Sequence, residues 1–418
     1  MNTPTTSSTT PRPGSARAAL ATRDFRWMWY ANLASSSGTW MQNVVLPAYV
    51  YERTHRASLV GVFIFAQLGP LLLLSIPGGV LADRFDRRRW LISSQIVQLV
   101  FSVLLGICAA SDSRIALLFL MQFGVGIGGA LNAPTWSAVL PTLVKAEDLP
   151  GAISLNSTVV NGSRIVAPII VAILSVYGVT SAEFFFINAV TYLAVIFTLT
   201  KITIPKLSTP TATGWRSFTF GIQFVRSHPV SKRILLSMTS FSFLSLTYVG
   251  LFPAVSQLNF GIAAKSVTYK WLYATWGLGA CLGGLAVGTI FVGADPRVLV
   301  RRGFASFSLA LAVFAVVRTP VPAFIVAFFL GIAYFFTATS LLSVLQSRLE
   351  SQVRGRVMAL WFMAFGGTVP LGNMVFGRVI DVYGARWVLL AGAAWAMFLA
   401  WWCNIERIDT TQDQSTSA

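Results

Sequence analysis

Polar loops divide the chain into twelve apolar stretches, each close to the ~20 residues that cross a bilayer as a helix. They span approximately 25–50, 59–82, 90–110, 115–139, 151–176, 183–202, 234–257, 271–293, 299–317, 322–345, 357–380 and 386–404. Backbone groups in lipid must bond within their own segment, so stretches of this length and polarity predict helices. Composition agrees: 55% of residues are apolar and 11% charged, against about 25% charged in soluble domains. Such a chain cannot cover a water-facing surface of its size. An all-α integral membrane protein is expected. Cys108, Cys281 and Cys403 all fall in apolar runs and form no CxxC pair, which suits packing rather than metal or disulfide chemistry.

The net charge of +17 could suggest nucleic acid, but the placement of the cations argues otherwise. Numbering the polar segments alternately, and counting cations near the stretch ends with the adjoining segment, the odd set carries 22 Lys and Arg and the even set 8, with Arg164 alone well inside a stretch. By the positive-inside rule this split predicts both termini in the cytoplasm of a multi-pass cell-membrane protein. Basicity is a topology signal here, and no nucleic-acid partner is expected.

Residues 1–22 are rich in Ser, Thr and Pro without an apolar core, which reads as a disordered cytoplasmic tail and not a signal peptide. Residues 405–418 form a second tail. Between them the pattern predicts a six-helix bundle over 23–202, a cytoplasmic linker over 203–233 and another six-helix bundle over 234–404. Within the linker, Phe218, Ile222 and Val225 share one helical face, so an amphipathic surface helix is expected before Pro229.

The two bundles also share landmarks. Val139-Leu140 recurs as Val344-Leu345, Pro168 as Pro370, and Val176-Tyr-Gly178 as Val382-Tyr-Gly384, at offsets of 205, 202 and 206. One ordered set at nearly one spacing indicates a duplicated unit. Twelve transmembrane helices in two six-helix pseudo-symmetric halves is the plan of the major facilitator transporters, whose halves rock about a midplane site.

Particular motifs sharpen that resemblance. Gly79-Val-Leu-Ala-Asp83-Arg84-Phe-Asp-Arg87-Arg88 resembles the superfamily's signature loop, with Asp86 in place of the usual glycine. Gly38-Thr-Trp-Met-Gln-Asn43, Ala130-Leu-Asn-Ala-Pro134, Asn161-Gly-Ser-Arg164-Ile-Val-Ala-Pro168 and Arg354-Gly-Arg-Val-Met-Ala-Leu-Trp361 are similar to the enterobactin-exporter-like and macrolide-efflux-like branch. The likeness covers about residues 23–400. It implies a secondary exporter of amphiphilic small molecules, such as antibiotics or siderophores, working by alternating access as a monomer. It also implies no cofactor, with the proton motive force as energy source. Two features depart from the proton antiporters: helix five reads Ala167-Pro168-Ile-Ile-Val-Ala172 where glycines are usual, and helix four carries Gln122 where many have arginine.

The signature loop has its own physical logic. Asp83 lies where it could meet the N-terminus of helix eleven, whose free N–H groups carry partial positive charge. Gly79, one turn earlier, permits close backbone approach. Gly79, Asp83, Arg87 and Arg88 are therefore expected to latch the halves together, with lipid anchoring as the alternative. Arg164 is the one charge well inside a span, ~20 Å along its helix at 1.5 Å per residue. It should face the bundle interior, either as a counter-charge for an anionic cargo or as a brace bonded to Asn161 around the kink at Pro168. Trp40, Gln42, Asn43, Asn132, Trp136, Asn161, Trp276, Tyr334 and Asn373, with Tyr248 and Trp361, outline an expected aromatic-amide cavity or gate. Asp83, Glu183 and Asp381 are the carboxylates open to proton coupling, each near a membrane face.

No GxxxxGK[ST] loop for ATP, HExxH zinc motif or GxSxG elbow occurs, so an enzyme or ATP-driven pump is not expected. A lipid-modifying enzyme using Arg164 on phosphate, a transporter-shaped receptor, an importer and a lysolipid flippase are the alternatives. Of these, the importer and the flippase fit the same fold.

Overall fold

A computed structural model describes residues 12–82, 85–205 and 215–405, and these form helices joined by short turns, with no strand among them. A short α1 (Ala16–Ala21) precedes α2 (Arg23–Thr54), α3 (Ala57–Ala82), α4 (Arg87–Ala110), α5 (Ile115–Val139), α6 (Leu149–Val176) and α7 (Ser181–Lys201). After the linker come α8 (Trp215–Ser227), α9 (Pro229–Ser240), α10 (Thr247–Gly250) and α11 (Phe252–Phe260). The remainder is α12 (Val267–Thr289), α13 (Pro296–Val316), α14 (Pro320–Ser347), α15 (Ser351–Phe362), α16 (Thr368–Tyr383) and α17 (Ala385–Trp402).

All twelve apolar stretches are helical, and nine helices among the described residues are long and apolar enough to cross a membrane. One other is long but interrupted in that property: α2 carries Asn32, Ser35, Ser36, Ser37, Thr39, Gln42 and Asn43 along its length. α3 is apolar in sequence from Ala57 to Ala82, with Gln67 its one amide. The stretch expected as one helix over 234–257 is broken. α9 passes through a π-helical turn at Phe241–Ser245 into the single turn α10, and Pro253 opens α11. A second π-helical turn, Met363–Gly367, joins α15 to α16. Such turns free backbone from the regular ladder and often mark functional sites.

Loops gather on two opposite faces. Gly14 N–H donates to Asp148, and Thr203 N–H to Asp24, on the face of the N-terminal tail. Arg53 reaches the Asp112 and Ser113 carbonyls, and Arg386 the Ala315 carbonyl, on the far face. The repeat is visible in the backbone. α6 and α16 both end at the far face on a glycine with positive φ, +84° at Gly178 and +83° at Gly384. Only glycine takes these conformations without steric cost.

Two helix pairs join the halves: α3 with α16, and α6 with α12. On α3, a side chain at Gly61 would collide with the Asn373 carbonyl 2.3 Å from its Cβ. The linker helix α8 packs on α15, where Arg356 lies 4.5 Å over the Phe220 ring and Val225 is buried. Pro229 does not merely stop α8; it occupies the first turn of α9, where a missing N–H costs nothing.

Candidate functional site

Arg164 lies fifteen residues into α6, ~22 Å along the helix axis. Its guanidinium is held between two rings. Trp40 of α2 lies 4.9 Å from it and Phe335 of α14 lies 5.2 Å away, one ring from each half. α12 approaches closely enough that a Cβ on Gly277 would sit 3.2 Å from the Arg164 carbonyl. The buried Nε has no hydrogen-bond partner. Asn161, expected as a brace, instead donates to the Ser157 carbonyl of its own helix at 3.0 Å. Pro168 is buried one turn further on, between Ala167 and Val171, both fully buried. The enlarged positions of the helix-five motif therefore fill a tight interface.

A wall of parallel rings flanks this cation from the second half. Trp276 of α12 stacks on Tyr334 of α14 at 5.8 Å and 16°. Tyr334 stacks on Phe365 of the π-helical turn at 6.2 Å, and Phe365 on Trp361 of α15 at 6.4 Å and 5°. Trp276 Nε1–H donates to the Tyr248 hydroxyl at 3.1 Å, so this ring is fixed by α10. Phe335, Tyr273 and Phe365 escape sequence reasoning. Among 31 phenylalanines an inward-facing one carries no distinguishing signal.

Several amides expected at a cavity serve elsewhere. Gln42 is 2% exposed and ties four helices together. It donates to Gln122 at 2.7 Å and accepts from Asn188 at 2.6 Å and Ser102 at 3.2 Å. Asn43 accepts from Gln67, linking α2 to α3. Asn132 accepts from Ser94 and Gln95, both at 3.3 Å, linking α5 to α4. Trp136 donates to Asn156 at 3.1 Å, linking α5 to α6. Asn373 is fully buried against Gly250, with neither side-chain polar atom hydrogen-bonded. The structure thus brings Trp40, Arg164, Trp276 and Tyr334 together and distributes the amides among helix contacts.

The expected latch is only partly in view. Asp83 lies outside the described residues, and Gly79 sits in the last turns of α3. Arg88 faces its own half: it donates from Nε to the Leu199 carbonyl at 2.6 Å and from its amino group to Thr200, at the end of α7. Arg87 opens α4, and Asp86 caps that helix through the Arg89 N–H at 3.0 Å. The residue that replaces the signature glycine thus has a local structural use.

At the far face the halves are tied by charge. Asp381 at the end of α16 accepts the N–H groups of Ala57, at 2.6 Å, and Ser58, at 3.1 Å, together with the Ser58 hydroxyl. A carboxylate of one half thereby caps the first turn of α3 in the other. Lys270 of α12 donates to Ser175 at 2.7 Å, near the C-terminus of α6. Each charge meets the helix end of opposite partial charge. Glu183 is occupied locally, in a capping box with Thr180 at the start of α7.

Two bundles joined along two helix pairs, with a ring-clamped cation between them, have the plan of a transporter of the major facilitator type. Residues 14–417 match the family model described as transmembrane secretion effector, and the chain belongs to that family. The staphyloferrin A transporter of Staphylococcus aureus is 26% identical over 370 residues, covering 83% of this chain and 87% of that protein. Enterobactin exporter EntS of Shigella boydii is 23% identical over 342 residues, covering 81% and 80%. Among solved structures, a point mutant of the nucleoside transporter NupG superposes with a TM-score of 0.73 at 15% identity, over 91% of this chain and 99% of that one. A bacterial homologue of the human lysosomal transporter Spinster, inward-facing and unoccupied, gives 0.68 at 14% identity, over 92% and 97%. At such identities these structures speak to fold alone. The protein is a membrane transporter, not an enzyme.

Proposed function

We propose that this transporter exports amphiphilic small molecules of the siderophore or antibiotic kind across the cell membrane by alternating access. The observation that carries this reading is the far-face closure. Asp381 and Lys270 of one half cap helix ends of the other, contacts that can form and break as rigid bundles rock. With both termini cytoplasmic, the far face is the outer one, and this arrangement is the state closed to the outside. The ring wall from Trp276 to Trp361, largely buried in this arrangement, then borders the path of cargo arriving from within. The names of both relatives support a siderophore-like cargo, and that of the enterobactin exporter supports the outward direction. In this reading the protein acts as a monomer, the signature loop with Asp83 makes the complementary latch on the cytoplasmic side, and proton influx drives the cycle.

Cells carrying the protein are expected to accumulate less of at least one labelled siderophore or antibiotic than cells without it. Greater accumulation of the same compounds would reverse the direction, and equal accumulation of a broad panel would remove this cargo class.

A further inference from the structure

We infer that Arg164 is the cargo's anion site, and that the cargo it takes is a small molecule with a carboxylate or a similar paired oxyanion attached to a planar ring. This rests on the transport reading above and names the chemistry of its central site. A guanidinium in the middle of a bundle loses its hydration, and ring contacts recover only part of that loss. No carboxylate among the described residues makes an ion pair with Arg164. Asn161, the nearest amide on the same helix face, donates its N–H to the Ser157 carbonyl, and no hydrogen bond is formed between Arg164 and its Oδ1. The brace reading therefore lacks its bonds.

The geometry also says how the missing charge would enter. Arg164 has five N–H donors, all in the guanidinium plane. Trp40 and Phe335 cover ring-to-cation contacts at 4.9 and 5.2 Å, and Nε is already withdrawn from solvent without a partner. A forked anion meeting the edge of the plane satisfies two donors at once, which a neutral group or a single point charge does not. The Tyr334 ring lies 4.6 Å from that of Phe335 and continues into the stacked wall with Trp276. A flat ring carried beside the anion meets that wall. Because Trp40 belongs to one half and Phe335 to the other, the clamp is complete only while the halves are closed around Arg164. Loading of the anion is thereby linked to their relative position.

Binding to the purified full chain tests this without requiring transport. The probes are 2-naphthoate, its neutral isostere 2-naphthamide, ringless citrate and dioleoyl phosphatidate, followed by tryptophan fluorescence. Naphthoate is expected to bind at least tenfold tighter than naphthamide and tighter than citrate. Arg164→Gln should weaken naphthoate by roughly 10- to 100-fold, the loss of charged hydrogen bonds, and leave naphthamide unchanged. Arg164→Lys, which keeps the charge without the fork, should fall between, and it carries the test if the glutamine variant does not fold. Equal affinity for naphthoate and naphthamide in the unaltered protein overturns the assignment, as does a loss of both together in the variants. A stronger Arg164-dependent hold on phosphatidate than on naphthoate assigns the site to lipid and overturns the small-molecule cargo. Arg164-dependent naphthoate binding in a chain that changes no cellular accumulation would keep this site and remove the export reading. Export without that dependence would do the reverse.

Discussion

Gln42 shows at the scale of a residue what a sequence can and cannot disclose. It lies on a helix in a position that would line a cavity or bond a neighbour, and both readings fit the same spacing. The structure gives it to the neighbours: Gln122, Asn188 and Ser102 all meet its amide out of solvent. Gln42→Leu should strand the Asn188 and Gln122 amides at ~1–3 kcal/mol for each buried group left unpaired. The expected outcome is a lower melting temperature with the order of cargo preference unchanged; a changed preference would return Gln42 to the cargo path. Arg164 was legible because one charge in a span stands out against apolar neighbours. Phe335 was not, since nothing in its sequence surroundings separates a clamp from packing.

At the scale of elements, helix ends carry the contacts between the halves at the far face. The span positions were readable from hydropathy, and α8 from its amphipathic spacing, because burial in lipid, or of one face against α15, imposes those periods. The breaks at Phe241–Ser245 and Met363–Gly367 were not: the first contains neither glycine nor proline, and Gly366, Gly367 and Pro370 at the second are ordinary residues of membrane helices. The far-face caps were equally hidden: Asp381 and Ala57 are 324 residues apart. Asp381→Asn keeps the shape and removes the charge from the α3 N-terminus, a contribution of ~1–2 kcal/mol for a carboxylate in a favourable geometry. Cysteine placed at Ile64, buried beneath this contact beside Gly250, reports opening once Cys108, Cys281 and Cys403 are replaced by alanine. In Asp381→Asn its labelling by a membrane-impermeant thiol reagent should quicken roughly 5- to 30-fold. An unchanged rate would mean that the cap does not hold the far face.

For the whole molecule, the duplicated plan was the most legible feature, and its physical mark is the matched pair Gly178 and Gly384, each closing a helix at the far face in a conformation that favours glycine. How the halves meet was beyond sequence spacing, since it depends on α3 lying against α16 and α6 against α12. The described carboxylates occupy helix ends and loops, so the path of a coupling proton is not written in any one buried acid. Export is therefore tested best as flux. Membrane vesicles prepared everted and right side out, each given an inward or outward proton gradient, are incubated with a labelled siderophore from the cellular panel. The account predicts concentrative uptake into everted vesicles acidified inside, abolished by a protonophore. Uptake confined to right-side-out vesicles, or uptake indifferent to the protonophore, would contradict it.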